Sequence, residues 1–155
     1  MLFIVFKAGD ASYALEARQV IEVVPLVTLR ACPGAPAYMT GLANYHGTGV
    51  PIVDLGRLVG GAPCAVYLST RIILTTYAGG DGQQRVIGLL AETVIETVER
   101  EEADFSQTGV AASGTSDLGK LAVSGTGFVQ RVVVEQLVPK ELEKILFAEP
   151  EKAAS

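Results

Sequence analysis

A single histidine, two cysteines and twelve basic residues leave this chain of 155 residues short of most catalytic chemistry. His46 has no partner in sequence reach, and an imidazole base needs a second group to orient it. Cys32 and Cys64 stand thirty-two positions apart, without the Cys-x-x-Cys spacing of a redox or zinc site, which reads as reduced, structural thiols in a cytosolic protein. Nothing flanks Cys32 as a nucleophile signature requires. A Cys32 and His46 pair nonetheless gives the sequence's one route to an enzyme, a small cysteine-dependent hydrolase.

Clustered positive charge is also missing. Acidic residues number seventeen, the formal net charge is −5, and the Lys and Arg are scattered. Phosphate neutralisation needs them together, which argues against a nucleic-acid partner and against an anionic membrane surface. Long apolar runs are absent too. Leu2 to Phe6 ends at Lys7 with no basic leader and no small-residue cleavage site, so it reads as neither a secretory signal nor a membrane span. Gly79-Gly80-Asp81-Gly82 lacks the Lys-Ser/Thr of a phosphate loop and suits a hairpin turn better. The run Glu96, Glu99, Glu101, Glu102 and Asp104 has neither a calcium-loop pattern nor a histidine ligand, and reads as a solvated edge. No cofactor or metal is expected.

What the chain does have is apolar material. The hydrophobic fraction is 49% against 19% charged, the balance of a globular sequence with room for one compact unit or two small barrels sharing an interface. Leu2 to Ala8 is rich in aromatic and β-branched residues and predicts a strand, with Gly9-Asp10 turning into Ser12 to Leu15. A helical turn over Ala17 to Gln19 and a strand to Val24 follow, closed by Pro25. Pro36 suits the first position of a one-turn helix ended by Gly41. Strands over Leu42 to Tyr45 and Val50 to Val53 flank a four-residue connection, His46-Gly-Thr-Gly49. Pro51 lacks an amide donor and places its strand at an edge or beside a bulge, and Asp54 is set to cap a short helix over Leu55 to Val59 that stops at Gly60-Gly61.

Further strands are predicted over Thr70 to Tyr77, over Val86 to Val98 with a break at Ala91-Glu92-Thr93, and over Phe128 to Val134. Ser106 to Gly127 reads as an exposed loop or a weakly paired hairpin. Val138, Leu142, Ile145 and Leu146 fall at helical spacing behind Pro139. Short strands and frequent glycines favour a mainly β, small-barrel architecture.

Pro36, Gly41, Leu42, Asn44, Gly47, Pro51, Ile52, Val53, Asp54 and Leu55 together carry a pattern that resembles the centre of the CheW-like domain family, the coupling modules of bacterial chemosensory arrays. Tyr45 and His46 replace the Leu-Arg of that pattern, and Val132 to Leu137 lacks a Leu-Asp common near the family's end. These departures resemble an atypical, non-flagellar member. The resemblance implies two packed five-stranded SH3-like barrels with a short C-terminal helix, in a single domain over residues 1–148 with a flexible tail at 149–155.

By the same resemblance the chain is a non-catalytic adaptor, cytoplasmic and associated with membrane-bound receptor arrays. Its implied partners are the regulatory domain of a CheA-type histidine kinase and the hairpin tip of a chemoreceptor's cytoplasmic domain. Val20, Val23 and Val24 are implied to line the receptor groove, and Gly41, Asn44, Gly47 and Pro51 to form or support the kinase surface. Glu22 matches a family glutamate and His46 stands where its arginine partner would be, so their pairing is conditional on protonation of the imidazole. A stand-alone small-molecule sensor barrel is the remaining alternative.

Overall fold

The structure, a computed structural model, describes residues 1–60, 62–79, 82–105, 121–124 and 127–146. Gly61, Gly80, Asp81, most of the 106–127 loop and the 149–155 tail, each part of an expectation above, lie outside the described residues. The strands are β1 (Leu2–Ala8), β2 (Ala11–Glu16), β3 (Val20–Pro25), β4 (Met39–Tyr45), β5 (Thr48–Asp54), β6 (Arg71–Ala78), β7 (Gln84–Ala91), β8 (Thr93–Glu99), β9 (Leu121–Ser124) and β10 (Gly127–Val132). Two short helices, α1 (Val134–Leu137) and α2 (Lys140–Leu146), follow.

The strands form two five-stranded sheets, ordered β8-β1-β2-β10-β9 and β3-β6-β7-β5-β4. Each sheet has one parallel contact, β10 on β2 and β5 on β7, among otherwise antiparallel pairs. The chain changes sheets at Glu92, where the break in the Val86 to Val98 run was expected. Its N–H donates to the Lys7 carbonyl at 2.8 Å, its carboxylate accepts from the Gly9 N–H, and the Ser69 hydroxyl donates to its carbonyl at 2.9 Å. Glu92 is therefore satisfied on every side where it turns from one sheet into the other.

Alternation along the shared strands divides the apolar residues between two cores. Phe3, Val5 and Ala14 join Phe105, Ala122 and Val129 in the smaller one, and the Phe3 and Phe105 rings meet at 5.1 Å. Phe6, Ala8, Tyr13 and Leu15, from the opposite faces of β1 and β2, join the second sheet in the larger one. Ile52, Leu55, Ile72, Ile73 and Leu89 are fully buried there. Each such side chain stabilises the fold by about 2 kcal/mol relative to exposure.

Several elements depart from the sequence reading. The segment from Pro36 forms a single turn, with the Met39 N–H on the Pro36 carbonyl at 2.9 Å, and β4 already begins at Met39. Phe128 to Val134 does not stay extended to its end. The chain enters α1, because Val134 and Leu137, three residues apart, both reach the larger core in a helical turn. That burial outweighs the strand preference of three consecutive valines. Leu121–Ser124, inside the expected loop or hairpin, pairs with β10. The helix behind Pro139 forms as α2 and buries Leu142 in the larger core.

Pro51 sits on an interior strand. Its cross-strand neighbour Leu42 exchanges its own hydrogen bonds with Arg30, so Pro51 owes no donor to β4, and the ladder to β7 begins one residue later at Ile52. A cavity of about 340 Å³ lies where β5 and β7 are not yet paired, lined by Thr48, Gly49, Pro51 and Gln84 to Ile87.

Candidate functional site

β3 carries the candidate groove residues, and its register sorts them. Val20 lies opposite Thr75 and Glu22 opposite Leu74, which leaves Ile21 as an extra, bulged residue. Cross-strand partners share a face, so Val20 and Val23 stand on the side of Thr75 and Ile73. Glu22 and Val24 stand on the other side, with Leu74 and Ile72. The bulge thus brings two valines three positions apart onto one half-exposed face and turns Val24 away from them. The entry to β3 is braced, because Gln19 Nε2 donates to both carboxylate oxygens of Glu135 on α1, at 3.2 and 3.0 Å.

The four kinase-surface candidates fall on β4, β5 and the turn between them. The connection is two residues, not four. β4 and β5 pair as far as Tyr45 and Thr48, and His46 (φ 50°) and Gly47 (φ 84°) both take the left-handed conformation that such a tight hairpin demands. Gly49, expected in the loop, is a strand residue opposite Asn44. The Asn44 Oδ1 accepts the Gly47 N–H at 2.9 Å and locks the turn, while His46 projects into solvent with its ring edge-on to Tyr45 at 4.3 Å.

Gly41 is buried, unlike the exposed Asn44 and Gly47. A Cβ there would come within 2.6 Å of the Arg30 carbonyl, so the missing side chain is what lets the segment after β3 approach β4. Arg30 and Leu42 exchange N–H···O bonds of 2.8 Å in both directions at that point. β3 and β4 are the two edges of the second sheet, and this bridge begins to close it on itself.

The closure continues at the other end of the seam. The Tyr45 hydroxyl donates to Glu22 Oε2 at 2.8 Å. No Glu22–His46 ion pair is present among the described residues; His46 joins the cluster through the Tyr45 ring. The bond to Glu22, together with partial desolvation and the negative charge, raises the Tyr45 pKa above the usual phenol value. Between the two closures lies a cavity of about 140 Å³ lined by Val24, Val27, Ala43, Asn44 and Tyr45, with Ile72 and Leu74 at its floor.

Asp54 does more than cap. Its buried carboxylate accepts from the Gly56 N–H at 2.9 Å and the Arg57 N–H at 3.4 Å, starting a π-helical turn over Gly56–Gly60, and also from the Cys64 N–H at 3.1 Å. Burial, with Asp54 beside it, pushes the Cys64 thiol up to about 12. Cys32 sits half-buried against the larger core, and no hydrogen bond joins it to His46 among the described residues. Three or more metal-capable side chains do not come together among the described residues.

Sequence reasoning passed over Val66, Tyr67 and Leu68, which are 72%, 60% and 99% exposed. Thr70 holds this loop by accepting from the Tyr67 N–H at 2.8 Å and donating to the Ala65 carbonyl at 3.0 Å. Without periodicity, three apolar residues between turn formers carry no outward signal.

Known proteins share this architecture. A family model described as the CheW-like domain matches residues 2–142. The chain is 27% identical over 141 residues to Chemotaxis protein CheW of Rhizobium meliloti (strain 1021), covering 89% of this chain and 87% of that one. It is 25% identical over 125 residues to Protein FrzA of Myxococcus xanthus, covering 79% and 75%. The crystal structure of scaffolding protein TtCheW from Thermoanaerobacter tengcongensis shares the fold, with a TM-score of 0.77 at 23% identity over 89% of this chain and 87% of that one.

Proposed function

The chain belongs to the CheW-like domain family, and from that premise we propose that it is a non-catalytic adaptor coupling chemoreceptors to a CheA-type histidine kinase in chemosensory signalling. The family match over residues 2–142 is the observation that carries this reading. Val20 and Val23, side by side on a braced strand, offer the apolar face on which a receptor's helical hairpin tip docks. The β4–β5 hairpin, with Asn44 on β4, Gly47 in the locked turn and Pro51 on β5, offers the surface for the kinase's regulatory domain, and Gly41 supports β4.

An adaptor acts through rigid surfaces. Both candidate faces here are built on strands of one sheet, so their separation is fixed by the ladder. No helix among the described residues is long and apolar enough to cross a membrane. The protein works at the cytoplasmic side of membrane-bound receptor arrays, held there by its partners. Its test is binding of Val20→Asp protein to receptor and to kinase, measured separately in a reconstituted mixture. Loss of receptor binding alone supports the assignment, and wild-type receptor binding by a folded variant refutes it.

A further inference from the structure

The mouth in the seam between β3 and β4 has mainly apolar walls, with Asn44 and Tyr45 as its polar members. Val24, Val27 and Ala43 line its sides and the fully buried Ile72 and Leu74 its floor, with no charged side chain in the lining. An ion entering it would lose hydration with no charged partner in the lining, so the site favours neutral ligands. Its volume of about 140 Å³ is close to that of apolar cavities of about 150 Å³ that stay dry and take up benzene. A single aromatic ring matches this volume.

Of the two polar side chains in the lining, Asn44 has its Oδ1 engaged by the Gly47 N–H, and Tyr45 sets a requirement of its own. A phenol hydroxyl has one proton to give. Tyr45 gives its proton to Glu22, which leaves the hydroxyl oxygen on the rim only to accept. A ligand that meets the Tyr45 oxygen must therefore bring a donor of its own.

We propose that the seam mouth binds a monocyclic phenol, its ring on Val24, Ile72 and Leu74 and its hydroxyl donating to the Tyr45 oxygen. The site lies between two structural closures, the Arg30–Leu42 bridge and the Tyr45–Glu22 bond, so the strands that form it are already held apart at a set width. It is separate from the proposed receptor face, since neither Val20 nor Val23 lines it, and shares Asn44 with the proposed kinase surface.

Methyl NMR of the full chain, titrated with phenol and separately with toluene, tests this. Both probes are expected to give saturable shifts at the Val24, Ile72 and Leu74 methyls, with dissociation constants on the order of 1 mM, as the few atoms of such ligands allow. Val27→Phe, a substitution at a position 47% exposed on the rim, fills the mouth and should abolish those shifts while the rest of the spectrum stays folded. Tyr45→Phe should weaken phenol about fivefold more than toluene, the worth of one hydrogen bond, because loss of the closure acts on both probes alike. Absence of saturable shifts, or shifts that survive Val27→Phe, overturns the site. An equal effect of Tyr45→Phe on both probes overturns the assigned donor contact.

Discussion

The Tyr45 hydroxyl and the Glu22 carboxylate, 23 positions apart, meet at 2.8 Å across the seam between β4 and β3. Where the family pattern has Leu-Arg, this chain has Tyr-His, and the phenol makes the contact to the glutamate. A neutral donor needs no protonation event, so the bond persists at any pH where Glu22 is ionised and Tyr45 is not. Because the two groups act as one unit, Tyr45→Phe and Glu22→Ala should each lower the melting temperature. The double variant should melt no lower than the worse single one. Additive losses in a thermal double-mutant cycle would show that the two residues contribute independently.

Gly41 carries the other closure. Gly41→Ala puts a methyl 2.6 Å from the Arg30 carbonyl, and backbone has little freedom to move aside. The Arg30–Leu42 bridge should break at a cost of about 2 kcal/mol, read as a lower urea midpoint with an unchanged slope. Wild-type stability in Gly41→Ala would mean that the segment after β3 relaxes freely.

Asp54 is the residue whose loss should be felt most. Its carboxylate serves the Gly56, Arg57 and Cys64 amides in a buried setting. Asp54→Ala strands those donors and should cost about 3 kcal/mol or more. Asp54→Asn keeps one acceptor oxygen and should cost less. Equal losses in urea denaturation would contradict a role through hydrogen bonding.

Alkaline pH should destabilise the fold. Cys64 is raised from 9.0 to about 12, so above about pH 9 the unfolded chain releases a proton that the native state keeps. The native state then binds more protons and stability falls as pH rises. The contribution is complete below pH 9 and lost on the way to about 12. Tyr13, Tyr38 and Tyr45, all raised from 10.0, act in the same direction from about pH 10 upward. Unfolding midpoints between pH 8 and 10.5 should therefore decline, and Cys64→Ser should flatten the first part of the slope. The same burial should leave one thiol, Cys32, to react with a disulfide reagent before denaturation and both after it.

Much of this was legible in the sequence where local chemistry decides. Gly9-Asp10 between apolar runs marks the β1–β2 hairpin, Ala17–Gln19 and Pro25 bracket β3, and Asp54 ahead of Leu55 marks a cap. Information carried by pairing was not legible. The bulge at Ile21, which separates Val24 from Val20 and Val23, depends on register against β6. The parallel contacts of β2 with β10 and β5 with β7 depend on chain closure over long separations. In the sequence Tyr45 is only a departure from a pattern, because nothing local shows that its hydroxyl reaches a strand on the far edge of the sheet.

The most direct test of the adaptor account is co-sedimentation of Val20→Asp protein with receptor-bearing membranes, with kinase binding and circular dichroism measured on the same preparation. A charge on the proposed receptor face should cost about 2 kcal/mol, roughly thirtyfold in receptor affinity. Kinase binding and the β spectrum should remain as in the wild type. Wild-type receptor affinity in a folded Val20→Asp protein would contradict the account.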